Sequence, residues 1–228
     1  MIAVIAALEC EKQALVDLLE NKQEIETKLG KYTKGYIKDQ EILVALCGVG
    51  KVAAAITACS IIENYDVEAL INIGTAGGIK EEENVGDVLI ADKLTYHDWD
   101  LSSFDGSMPS FASNQYVFYC DKALIEKAKS ILKDVDHNVF IAPLVSGDSF
   151  VCSEDKVEYI QKYFPEAYGC EMEATSIAHV CDSYKVPCLI IRSFSDIVIK
   201  KDNNLDFEKY KVLASQRAAE FLKKYCEK

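Results

Sequence analysis

The chain has 228 residues, 50% hydrophobic and 27% charged, which fits one α/β domain and argues against disorder. A formal net charge of -12 argues against nucleic acid as a partner, and only Arg192 and Arg217 are arginines able to fork onto an anion. Nine cysteines without a C-x-x-C pair, and histidines only at His97, His137 and His179, point to free thiols in a reducing compartment rather than disulfides or a metal centre.

Residues 2–8 are apolar and run into Glu9-Cys10-Glu11-Lys12 without a basic leader. That predicts a buried first strand rather than a signal peptide, and a cytoplasmic protein with no membrane span. An amphipathic helix follows over 11–19, a strand over 41–46, the break Gly48-Val49-Gly50, and a helix over 51–63 with alanines on its packing face. Strands are predicted at 69–73 and 88–91, then a helix at 123–132 and a strand at 140–145. Ser153 reads as the N-cap of the next helix. A helix over 173–184, a strand over 187–191 and a closing helix over 207–224 complete the chain. Alternation of this kind predicts mostly parallel strands covered on both faces, with no internal boundary across 1–228. The one long irregular stretch, 98–115, carries Trp99, Phe104, Met108 and Phe111, apolar groups suited to burial in a partner.

Ligands of open α/β sheets bind beyond the carboxyl ends of strands. Those ends carry Glu9-Cys10-Glu11, Gly48-Val49-Gly50-Lys51, Gly74-Thr75-Ala76-Gly77-Gly78, Ser146-Gly147-Asp148-Ser149-Phe150-Val151 and Ser193-Phe194-Ser195-Asp196. Glu171-Met172-Glu173 makes a poor core and a good sugar clamp. Its two acids, two positions apart, would not share a helix face, so the segment is expected to be irregular at the pocket. An aspartate past a buried strand, at 196, suits proton donation. Together they suggest chemistry on a nucleoside.

In order, Ala7-Leu8-Glu9-Cys10-Glu11, Gly48-Val49-Gly50-Lys51-Val52-Ala53-Ala54, Gly74-Thr75-Ala76-Gly77-Gly78, Tyr96-His97-Asp98, Ser146-Gly147-Asp148, Glu171-Met172-Glu173-Ala174 and Ser195-Asp196 resemble the 5'-methylthioadenosine/S-adenosylhomocysteine nucleosidases. These are the hydrolytic branch of the nucleoside phosphorylase superfamily, and the likeness spans nearly the whole chain. It implies a three-layer α/β/α domain with a central twisted, mixed, mostly parallel sheet. It also implies N-ribosidic bond hydrolysis without cofactor or metal, on a small-molecule nucleoside with water as nucleophile.

The resemblance assigns Asp196 as the acid that protonates purine N7, which requires its pKa to be raised by burial. It assigns Glu11 as the base that activates water, and Glu173 as the acceptor of the 2'- and 3'-hydroxyls. Met172 lies against sugar and base, and Glu171 works around the ribose and water. Phe150 and Val151 meet adenine, Thr75, Gly77 and Val49 line the water and ribose region, and Ser195 stands beside the acid. Leu8 and Phe207 line the 5' arm. A homodimer is implied, with the long loop of one subunit over the pocket of the other.

Blander readings stand beside these. Glu11 suits the first turn of any helix, 74–78 reads as a tight turn, and His97 and His179 read as structural. A phosphorolytic relative carries arginines around its anion, typically two residues before the glycine turn, where this chain has Asn72. A nucleoside-binding module would not need both Glu11 and Asp196.

Overall fold

Strand β1 (Ile2–Ala6) is buried along its whole length, as expected of an apolar run at the centre of a sheet. The computed structural model describes residues 1–199 and 203–227, apart from the side chains of 203–209. After β1 come α1 (Glu9–Asp17), the hairpin β2 (Glu20–Thr27) and β3 (Gly30–Ile37), then β4 (Gln40–Leu46) and α2 (Lys51–Asn64). Next are β5 (Ala69–Gly78), β6 (Val88–Tyr96), the short α3 (Ser102–Asp105), β7 (Val117–Tyr119) and α4 (Lys122–Ile131). The chain continues through β8 (Val139–Ser146), α5 (Glu154–Tyr163), β9 (Gly169–Glu171), α6 (Ala174–Tyr184), β10 (Cys188–Ile197) and α7 (Asn203–Glu227).

The ten-stranded sheet runs β10-β6-β8-β9-β5-β1-β4-β3-β2, with β7 on β6. A further β10–β5 pairing closes β5, β10, β6, β8 and β9 into a ring. Its middle, β4-β1-β5-β10, is parallel, while the β2–β3 and β3–β4 pairings and the β9 link to β5 are antiparallel. Helices α1 and α4 pack with α7, and α2 packs with α6. The expected α/β/α architecture is therefore present.

Several boundaries differ from the sequence reading. Helix α1 starts at Glu9, two residues before the predicted position. The hairpin β2–β3 was not predicted because β2, Glu-Asn-Lys-Gln-Glu-Ile-Glu-Thr, is polar and almost wholly exposed at the sheet edge. Residues 74–78 are not a tight turn: β5 runs on to Gly78, paired with β10 on one side and β9 on the other. Likewise β10 continues to Ile197 through an irregularity between Phe194 and Asp196, so Asp196 lies within the strand rather than past it. The apolar pattern stops short in both because Gly74 stands opposite Arg192, a small residue facing a large buried one.

In the stretch 98–115, Phe111 is buried against Phe164 with ring centroids 5.9 Å apart, and Trp99 packs edge-on against Tyr116. That corrects half of the expectation: of the four apolar groups, Phe104 and Met108 stay exposed, at 89% and 52%. Ser153 occupies the N-cap of α5, but its side chain makes no capping bond. His179 is structural as expected, stacked on Phe118 and bonded through Nδ1 to the Tyr96 hydroxyl at 3.2 Å.

Candidate active site

A cavity of about 420 Å³ opens at the carboxyl ends of β1, β5 and β10. Leu8, Glu11, Val49, Thr75, Gly77, Phe150, Val151, Glu171, Met172, Glu173, Ser195 and Asp196 all line it, so every described candidate residue converges on one space. Phe207 falls outside the described side chains.

Glu11 sits in the first turn of α1 and is 2% exposed. Its Oε2 accepts from the amides of Ala7 at 3.1 Å and Leu8 at 2.9 Å, and its Oε1 from Thr75 at 3.2 Å. One side chain thus both caps the start of α1 and lines the cavity. Burial pushes its pKa up, against those amides and the charge of Arg192. Asp196, also 2% exposed, accepts from Ser195 Oγ at 2.6 Å. A Cβ on Gly74 would lie 3.2 Å from Glu11 Oε1, and one on Gly77 3.2 Å from Asp196 Oδ2. The two acids therefore face backbone positions three residues apart on β5, roughly 10 Å of strand.

The Glu-Met-Glu segment is irregular, as its spacing demanded. Glu171 ends β9 and Glu173 is the N-cap of α6 with φ -130°. Glu171 lines the cavity while being held from behind: Oε2 takes the Arg192 guanidinium at 2.8 Å and the amides of Glu173 and Ala174, and Oε1 takes the Ser146 hydroxyl. Arg192 also donates to the Asn72 side chain and to the Ile191 carbonyl. The sequence reading missed this buried network. Its signal was an arginine inside an apolar strand, which in a core demands a paired carboxylate.

A model of the phosphorylase superfamily matches residues 1–227. A 5'-methylthioadenosine/S-adenosylhomocysteine nucleosidase of Staphylococcus carnosus (strain TM300) is 34% identical over 222 residues, 97% of each chain. The chain belongs to this nucleosidase family of the phosphorylase superfamily. Among solved structures, the Streptococcus pneumoniae nucleosidase with a transition-state inhibitor is 35% identical, with a TM-score of 0.91 over 99% of this chain and 98% of that one. Futalosine hydrolase of Helicobacter pylori strain 26695 is 30% identical, with a TM-score of 0.90 over 99% and 97%.

Within this nucleosidase-family pocket, Glu173 Oε1 accepts from the Gly50 amide at 2.8 Å. Burial, then the neighbouring Glu171 charge, pushes the Glu173 pKa up to about 8 from an ordinary 4.5. A raised carboxyl pKa gives stability that is complete below the unfolded value and lost as pH rises through the folded one. Glu173→Gln is therefore expected to melt roughly 5 °C above the native protein at pH 9. The gap should close toward pH 4, and calorimetry at both values checks it. Cys170 also lines the cavity, its Sγ 3.7 Å from the Gly77 carbonyl, a further contact that sequence reasoning did not single out. Among the described residues, no group of three or more His, Cys, Asp or Glu is placed to hold a metal, and no helix is long and apolar enough to cross a membrane.

Proposed function

We propose that this chain hydrolyses the N-ribosidic bond of 5'-methylthioadenosine and S-adenosylhomocysteine, and also 5'-deoxyadenosine, releasing adenine and the 5-substituted ribose. Asp196 gives a proton to purine N7, Glu11 draws one from the attacking water, and Glu173 holds the ribose hydroxyls. Cleavage puts positive charge on the sugar and negative charge on the departing base. The carboxyl oxygens beside the ribose and an acid at the purine therefore act on the two charges as they develop. The logic parallels inverting glycosidases, in which one carboxyl protonates the leaving group while another prepares water on the opposite face.

The observation that carries this reading is Glu11 and Asp196 on one cavity whose arginine is already neutralised. Phosphorolysis needs cationic charge for its nucleophile. Arg192 is committed to Glu171 and Asn72, and the pocket adds three further acids. Water, a neutral nucleophile, suits such a site. Ultraviolet assay of adenine release from 5'-methylthioadenosine tests the proposal; no release at micromolar enzyme would overturn it. The similarity to futalosine hydrolase favours including futalosine beside the three nucleosides in that assay.

The reading extends to a homodimer. Phe104, Met108 and the α2 residues Val52 and Ile56 are exposed, the last two at 69% and 48%. Light scattering should give twice the chain mass; the mass of one chain would contradict it.

A further inference from the structure

The motifs around Asp98 and Asp148 have no part in the proposed chemistry, yet they make a closed ring beside the pocket. Asp148 Oδ1 accepts from the amide of Lys51, the first residue of α2, at 2.8 Å. The Asp148 amide donates to Asp98 Oδ2 at 3.0 Å, and Lys51 Nζ donates to the same oxygen at 2.6 Å. Burial pushes the Asp98 pKa up, but the bonds from Lys51 and the Asp148 amide outweigh it and hold it below its ordinary value.

Helix α2 has no side-chain cap of its own, because Gly50 stands at its N-cap with φ +102°. Two distant carboxyl side chains replace that cap: Glu173 on the Gly50 amide and Asp148 on the Lys51 amide. Both sit at the positive end of the helix dipole. The adjoining residues are pocket walls, Val49 on one side and Ser149, Phe150 and Val151 on the other. Behind the second wall the His97 ring packs so tightly on Gly147 that no Cβ fits there. The first turn of α2 is thus shared between the loop that meets the base and the acid that meets the ribose.

We propose that Asp148 is a positioning residue: with Lys51 and Asp98 it braces the first turn of α2, fixing the Gly50 amide that aims Glu173 at the ribose hydroxyls. The inference rests on the nucleosidase reading above. Asp148 acts through Glu173, so its removal matters only while the Glu173 side chain is there to be aimed.

The test is a double-mutant cycle on kcat/KM for 5'-methylthioadenosine. Asp148→Ala should lower kcat/KM about 10-fold in the native background, the scale of a lost charged cap. In the Glu173→Ala background, which has no side chain left to aim, the same change should cost less than about 2-fold, and Asp148→Asn, which keeps the Oδ1 acceptor, should retain most activity. Should Asp148→Ala not fold, Lys51→Pro carries the same cycle, since proline is tolerated at the first helical position and removes the amide donor. Equal losses in both backgrounds, or no loss in either, would overturn the brace while leaving the nucleosidase reading intact. An inactive native protein would overturn both, because there would be no ribose clamp to aim.

Discussion

Asp196→Asn is expected to lower kcat for adenine release by about 10³-fold, within the range for loss of a general acid, while nucleoside affinity changes little. The amide matches the carboxyl in size and can still accept from Ser195 Oγ, so the 2.6 Å contact and the pocket shape survive. What is lost is the transferable proton. Without it, adenine must depart as an anion into a pocket that already holds Glu11, Glu171 and Glu173, where negative charge is least welcome. The deficit therefore belongs to kcat, not to binding. Steady-state kinetics with a calorimetric Kd separate the two, and a native kcat in this variant would remove Asp196 from its role.

Glu11→Gln is expected to lower kcat by about 10²-fold or more, and it also costs stability. The glutamine amide brings two N–H donors to a place where the backbone of Ala7, Leu8 and Thr75 already donates. One donor must face another, a mismatch of about 1–3 kcal/mol. The pH profile distinguishes a lost base from a damaged fold. Because burial raises the Glu11 pKa above 4.5, activity of the native enzyme should fall as acid pH protonates the base. The variant has no such carboxyl, so its residual rate should lose that acid limb. An unchanged limb would assign it to another group.

Much of the site was legible because its residues follow apolar strands, and burying β1, β5 and β10 brings their ends together. Glu11, Thr75 and Asp196 belong to segments distant in sequence, yet they line one cavity for that reason alone. The irregularity at Glu171 and Glu173 was also readable, since two acids two positions apart cannot share a helix face. Less legible was which partner each acid would find. Arg192 reaches Glu171 from β10 and takes its Oε2, a pairing no local pattern encodes. The continuation of β5 through Gly74-Thr75-Ala76-Gly77-Gly78 was hidden because these residues resemble a turn until β9 and β10 supply their backbone partners. Strand β2 was hidden for the opposite reason, its exposed polar residues giving no buried face to detect.

In the proposed reaction water, prepared by Glu11, is the nucleophile. Turnover of 5'-methylthioadenosine in oxygen-18 water, with and without inorganic phosphate, tests it most directly. Label incorporated at the anomeric carbon of the released sugar, at a rate indifferent to phosphate, is the predicted result. An unlabelled sugar phosphate, formed only when phosphate is present, would contradict it.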